Sequence, residues 1–137
     1  MSLQTALLGC LTIPGRPEHL RTARGFVARS LDADFAETDT AVLLVSELIS
    51  NSLQHTDSGR PGGMVTVTLI ANPAGLRVEV ADEGAATVPA VQSDAGSSAE
   101  TERGRGLRIV EALSDRWGSV SGENHTVTWF ELTDAAR

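Results

Sequence analysis

The sequence predicts an α+β fold in which a mostly antiparallel sheet carries about three helices on one face. The strand-like segments follow one another mainly as hairpins, and they are not regularly interleaved with helices. Three segments repeat apolar residues at the 3.6-residue spacing of an amphipathic helix. Because the chain has 137 residues, of which 41% are hydrophobic, we expect residues 1–137 to form a single domain with a real core.

The chain opens with a predicted strand and a predicted helix. Residues 5–13 are apolar and partly β-branched, and Pro14 and Gly15 follow them, so this segment predicts a strand that would suit a sheet edge. Pro17 suits the first turn of a helix, and apolar residues at helical spacing extend that helix to about Ala33.

A second helix, beginning near Thr38 or Asp39, carries a stripe of polar residues. Either residue is a capable N-cap. Glu47, Asn51 and His55 stand at positions i, i+4 and i+8, which places a carboxylate, an amide and an imidazole in one line beside the apolar face. Taken alone, this stripe favours a solvated helix surface over a functional site.

Two hairpins and a third helix complete the predicted elements. The hairpin strands are residues 64–71 with 76–81, and about 117–121 with 126–132. Between the hairpins, residues 85–103 are rich in Ala, Ser, Gly and Asp and show no periodicity. A segment of this length in a compact domain is typical of a functional lid or a disordered loop. The third helix directly follows Gly106.

Composition and charge exclude several classes of function. The net charge is −7, and all 11 basic residues are arginine. A protein this acidic, without a basic run, is a poor nucleic-acid binder, and a P-loop is excluded because its motif needs a lysine. No run reaches the roughly 20 apolar residues of a membrane span, and we expect no signal peptide. The single cysteine, Cys10, cannot form an internal disulfide, so we expect a cytoplasmic protein in which Cys10 is buried.

Two further polar clusters stand where a strand ends and where a helix begins. Asp82-x-Gly84 closes the first hairpin; its carboxylate can accept hydrogen bonds from an amino group, and its glycine would let a ligand approach the backbone. Gly-Arg-Gly at 104–106 precedes the third helix, whose free N-terminal amides would favour a phosphate. Taken singly, the first motif fits an ordinary turn and the second fits a flexible hinge with a helix cap.

The order of these motifs resembles the Bergerat ATP-binding fold of the GHKL superfamily. ELISNSLQH at 47–55 is similar to the superfamily's N-box, and DEG at 82–84 and GRGLRIV at 104–110 are similar to its two glycine boxes. Within the superfamily, the chain looks most like the small stand-alone anti-sigma-factor serine/threonine kinases of the actinobacterial type, from about Leu11 to Leu132. The resemblance implies a two-layer α/β sandwich, a mostly antiparallel mixed sheet and a flexible ATP lid at about 85–103.

The resemblance also implies a role for individual residues. Asn51 corresponds to the asparagine that ligates magnesium, and Glu47 to the general base. Asp82 corresponds to the acceptor of the adenine amino group, and Gly84 lets the ring pack closely. The other implied nucleotide contacts are His55, Arg103, Gly104, Arg105, Gly106, Leu107 and Thr128. Thr126 stays open as an alternative to Thr128 for the hydroxyl near adenine, and His55 is equally suited to capping its helix.

The resemblance leads us to expect an ATP- and Mg²⁺-dependent serine/threonine kinase that acts as an anti-sigma factor. It would bind a sigma factor and phosphorylate a STAS-type anti-anti-sigma partner on serine, and a homodimer is plausible within the family. Two departures favour a different class, a non-catalytic ATP-binding module that acts by sequestration alone. Ala85 and Ala86 follow the DEG motif where the family often has another glycine, and residues 122–126 replace a common Gly-Lys-Thr or Gly-Thr-Thr. A free-standing ATPase is a third, less favoured reading.

Overall fold

In the part of the chain that this computed structural model describes, five strands form one sheet with the spatial order β1-β2-β3-β5-β4. The strands are β1 (Ala6–Pro14), β2 (Met64–Asn72), β3 (Gly75–Asp82), β4 (Arg116–Ser121) and β5 (Thr126–Thr133). Every described pair of neighbours is antiparallel. The structure describes residues 5–55, 63–83, 107–122 and 125–134, so the expected lid at 85–103 lies outside the described residues.

Three helical segments accompany the sheet, namely α1 (Leu20–Ser30), α2 (Thr38–His55) and α3 (107–113). A single 3-10 turn, Pro17–His19, precedes α1, and the φ angle of its proline is already suited to a helix start. α1 ends at Ser30, before the predicted end at about Ala33, because Leu31 adopts an extended backbone and packs against the core. None of the described helices is both long and apolar enough to cross a membrane.

The start of α2 was predicted correctly, but Thr38 does not cap it in the expected way. Thr38 is the first residue of the helix, and its hydroxyl donates a hydrogen bond of 3.1 Å to the backbone carbonyl of Phe35. The amide of Ala41 donates to the carbonyl of Glu37. The threonine side chain therefore stabilises the turn that leads into α2.

The hydrophobic core lies between one face of the sheet and the helices, and it confirms the predicted α+β arrangement. One face of β2 and β3 is buried through Val65, Val67, Leu69, Leu76, Val78 and Val80. The apolar stripe of α2 is buried in the same cluster through Ala41, Leu44, Val45, Leu48 and Ile49. Burying one such side chain contributes about 1.5–3 kcal/mol. This stripe therefore anchors α2 on the sheet and sets where its polar neighbours lie.

β1 is an edge strand, as predicted, but the expectation that Cys10 is buried is wrong. Side chains alternate between the two faces of a strand. Since Ile13 is buried in the core, Cys10 and Thr12 face the opposite surface of the sheet. There Thr12 Oγ1 lies 2.8 Å from Thr66 Oγ1, and Cys10 Sγ lies 3.7 Å from Thr68 Oγ1. The helices leave this face uncovered, so an apolar segment on the edge strand does not guarantee burial.

The ring of Trp129 lies on the same uncovered face, in a space that a glycine provides. Gly118 pairs with Trp129 across β4 and β5, and a Cβ atom at Gly118 would stand only 2.8 Å from the indole ring. Arg77 lies on β3, the other neighbour of β5, and its guanidinium carbon is 4.1 Å from the centroid of the Trp129 ring. Arg77 also donates to Glu131 over 3.1 Å. The indole is thus held between a strand backbone and a cation.

Candidate functional site

A buried hydrogen bond joins α2 to the end of β3. The hydroxyl of Ser52 donates to Oδ2 of Asp82 over 2.6 Å, and the two residues are only 5% and 7% exposed. That length is typical of a hydroxyl bonded to an ionised carboxylate. A buried carboxylate is costly unless hydrogen bonds stabilise it, so Ser52 helps to keep Asp82 below the surface. The carboxylate has about four lone-pair sites, which gives it the capacity to accept a ligand's N–H as well.

Sequence reasoning missed Ser52, although the sequence carries a signal for it. Ser52 follows Val45 and Leu48 at helical spacing, so it occupies a position in the apolar stripe of α2. A serine in such a stripe is buried, and a buried hydroxyl needs a hydrogen-bond partner. The signal was therefore available locally, whereas the partner lies on another element thirty residues along the chain.

Glu47 and Asn51 lie at the flank of the same helix, one turn apart, and both are half-buried. Glu47 borders a groove of about 940 Å³ between α1 and α2, and Arg21 and Arg24 line the α1 side of this groove. The carboxylate is therefore reachable from outside while part of it is sheltered by the fold. Glu47 and Asn51 are therefore neither fully solvated nor part of the core.

The positions of Asn51 and Ser52 bring two of the predicted roles together. Consecutive residues of an α-helix point about 100° apart. Because Ser52 is directed at Asp82, Asn51 projects from the flank of α2 close to the end of β3. Asp82 is thus hydrogen-bonded to the residue that directly follows Asn51 in α2, although Asn51 and Asp82 lie 31 positions apart in the sequence.

The strand register distinguishes the two threonines that the sequence left open. Thr126 is the register partner of Asp82 across β3 and β5, whereas Thr128 is the partner of Val80. Each hydroxyl also lies near a serine on β4: Ser121 for Thr126, at 3.3 Å, and Ser119 for Thr128, at 3.2 Å. Thr126 therefore stands beside Asp82, and Thr128 stands one same-face position further along β5.

The other predicted site residues are described only in part. Gly84, Arg103, Gly104, Arg105 and Gly106 lie outside the described residues, and of His55 the structure describes only its place at the end of α2. Leu107 is the first described residue of α3, where it is half-buried and packs against the core. The described part of the candidate site is therefore its floor, which is formed by α2, β3 and β5.

A magnesium ion would be compatible with this floor. Within the described ranges, no three His, Cys, Asp or Glu side chains gather in a way that could hold a metal ion. Magnesium prefers oxygen ligands, keeps several waters, and is commonly held by one or two protein groups together with substrate phosphates. The amide oxygen of Asn51, with the Glu47 carboxylate one turn away, suits an ion held mainly by phosphates and water.

The chain is similar to known proteins over most of its length. Residues 13–131 match the family described as the histidine kinase-like ATPase domain. A serine-protein kinase RsbW of Listeria monocytogenes is 28% identical over 116 residues, which cover 77% of this chain and 74% of that protein. An anti-sigma F factor of Bacillus cytotoxicus is 30% identical over 111 residues, which cover 78% of this chain and 75% of that protein.

The family match extends from the end of β1 into β5, and it includes every described residue that we assign to the site. The two relatives carry names of a protein kinase and of an anti-sigma factor, the two activities that the sequence resemblance implied. The chain belongs to the histidine kinase-like ATPase domain family of the GHKL superfamily, within its branch of anti-sigma-factor kinases.

Proposed function

We propose that the protein is a Mg²⁺- and ATP-dependent serine/threonine kinase that acts in the cytoplasm as an anti-sigma factor. It would sequester a sigma factor and phosphorylate a STAS-type anti-anti-sigma protein on serine. The observation that carries this proposal is the arrangement of Glu47 and Asn51 on the flank of α2, beside the buried Ser52–Asp82 pair. In this arrangement Glu47 would supply the base, Asn51 the metal ligand and Asp82 the adenine acceptor.

The adenine end of the nucleotide would lie at the end of β3. Asp82 would accept a hydrogen bond from the adenine amino group, and Thr126 would offer a hydroxyl from the neighbouring strand. The phosphates would then extend toward Asn51, whose amide oxygen would share a magnesium ion with them. When bound, magnesium neutralises part of the negative charge of the phosphates.

The transfer step requires a base beside the γ-phosphate, and Glu47 is the residue that suits it. The serine hydroxyl of the partner would attack the γ-phosphorus while its proton moves to the Glu47 carboxylate. The bond between the γ-phosphorus and the β–γ bridging oxygen would break, and ADP would leave. The groove between α1 and α2 reaches Glu47 from the protein surface, so it offers a path for the partner's serine.

A second candidate function is a module that binds ATP and sequesters its partner without transferring phosphate. The departures at Ala85 and Ala86, and in the segment 122–126, favour this candidate. A glycine box with fewer glycines has less backbone freedom to follow the phosphates through a reaction. The described floor of the site is compatible with both candidate functions. They differ only in whether phosphate is transferred to the partner.

A transfer assay with γ-labelled ATP distinguishes the two candidates. The chain is incubated with Mg²⁺ and a set of STAS-type proteins from the same genome, and label is followed on the partner's serine. The kinase proposal expects stoichiometric labelling of at least one partner. ATP binding in calorimetry without labelling of any partner would support the sequestering module instead, and an absence of ATP binding would exclude the kinase.

A further inference from the structure

We infer that Ser52 is a positioning residue that orients Asp82 to read the 6-amino group of adenine, and so determines the preference for adenine nucleotides. The inference rests on the proposed function, because it concerns the same nucleotide site. It starts from the 2.6 Å hydrogen bond between two buried side chains on different elements. Neither the motif similarities nor the family match assigns a role to Ser52.

The hydrogen bond restrains a torsion that is otherwise soft. The terminal torsion of an aspartate is broad and roughly two-fold, so the carboxylate has no strong rotational preference of its own. Ser52 lies in a helix whose neighbouring turn is buried through Leu48 and Ile49, which gives its hydroxyl a rigid base. A donor held in this way selects one rotation of the Asp82 carboxylate and presents its lone pairs in one direction.

That direction matters because an ionised carboxylate can only accept hydrogen bonds. Adenine carries an amino group at C6, which donates, whereas guanine and hypoxanthine carry a carbonyl, which accepts. A carboxylate aimed at C6 therefore attracts adenine and repels the other two bases. Sites built to bond an N–H group discriminate strongly against analogues without it, since the buried polar group is then left without that bond.

The same hydrogen bond links the two ends of the nucleotide site. Ser52 and Asn51 are consecutive, and one is bonded to the candidate adenine acceptor while the other is the candidate magnesium ligand. The rigid helical backbone thus sets the spacing between base recognition and phosphate recognition. If Asp82 were displaced, its distance from Asn51 would change even though both residues remained present.

The experiment compares two nucleotides on four proteins. ATP and purine riboside triphosphate differ only by the 6-amino group, and calorimetry gives the dissociation constant of each. The proteins are the wild type, Ser52→Ala, Ser52→Thr, and the control Thr12→Val. The control removes one of two hydrogen-bonded hydroxyls on the opposite face of the sheet, where Thr12 Oγ1 lies 2.8 Å from Thr66 Oγ1. Thermal unfolding of each protein shows that it is folded.

The inference expects Ser52→Ala to weaken ATP binding about tenfold or more, on the order of an unmade buried hydrogen bond. Binding of purine riboside triphosphate should change much less. The ratio of the two dissociation constants, which measures the preference for the amino group, should therefore fall. Ser52→Thr should restore the preference, and Thr12→Val should keep it. If Ser52→Ala instead weakens both nucleotides equally, or leaves ATP binding unchanged in a folded protein, the inference is overturned and the proposed function stands. A wild type that binds neither nucleotide overturns the proposed function itself.

Discussion

Glu47 and Asn51 lie one helical turn apart on α2, and the rest of the fold covers each of them only in part. The apolar stripe beside them is almost fully buried. The helix that carries these two residues is therefore held firmly against the sheet. The distance between the candidate base and the candidate metal ligand is thus set by helix geometry rather than by a loop.

Replacing Glu47 by glutamine should abolish transfer but not nucleotide binding. The amide keeps the size of the side chain and removes the basic oxygen, so the rate of partner phosphorylation should fall by about 10²–10⁴. Initial rates with labelled ATP measure the loss, and calorimetry should give an ATP affinity close to the wild type. Glu79→Gln is the matched control, because Glu79 binds Arg77 on the uncovered face of the sheet. Transfer that continues unchanged in Glu47→Gln would remove Glu47 as the base.

Replacing Asn51 by alanine should weaken ATP binding only when magnesium is present. Alanine is the better helix former, so α2 should not be destabilised by the change itself. The lost amide oxygen should reduce affinity at least about tenfold in Mg²⁺, the cost of one good polar contact. In EDTA, wild type and variant should bind ATP about equally. A loss of the same size under both conditions would mean that Asn51 acts on the nucleotide directly and not through the metal.

The strand register predicts that Thr126 contributes more to ATP binding than Thr128. Thr126 faces Asp82 across the β3–β5 pair, and Thr128 faces Val80. We therefore expect Thr126→Val to weaken ATP binding by about fivefold, the cost of a modest hydrogen bond, with a smaller effect of Thr128→Val. Both substitutions are nearly isosteric and each removes one contact with a β4 serine, so they control for one another. A larger effect of Thr128→Val than of Thr126→Val would mean that the nucleotide lies further along β5, beside Thr128.

Adding a methyl group at Gly118 should destabilise the sheet through Trp129. The new Cβ atom would stand 2.8 Å from the indole ring, which Arg77 confines from the other side. Alanine is favoured over glycine in a strand by roughly 0.5–1 kcal/mol, but overpacking costs about 1–3 kcal/mol, so we expect a net loss. Urea denaturation measures the free energy of unfolding. In a Trp129→Leu background the same substitution should cost less; equal costs in both backgrounds would contradict the clash.

Local patterns were sufficient for most of the architecture. The stripe from Ala41 to Ile49 predicted which side of α2 is buried, and the alternation in β2 and β3 predicted the core face of the sheet. These predictions succeeded because helix and strand periodicity follow directly from backbone geometry. The candidate site was located by the order of its motifs, and Asp82 proved to lie at a buried strand end beside α2.

What the sequence did not predict depends on contacts between distant segments. The bond from Ser52 to Asp82 joins two elements, and the choice between Thr126 and Thr128 depends on strand register. Cys10 was misplaced because an apolar segment does not indicate which of its alternating side chains faces the helices. In each case the deciding contact is made by a residue many positions away, which a window of local sequence does not contain.

The exposed position of Cys10 makes the protein ready for site-specific labelling without any engineering. It is the only thiol in the chain, and it lies on the edge strand β1, on the sheet surface opposite the helices. A maleimide dye would therefore attach once per molecule and away from the Ser52–Asp82 floor. Energy transfer between dyes on two copies, or between a dye and a labelled partner, would then follow assembly while the nucleotide site remains unmodified.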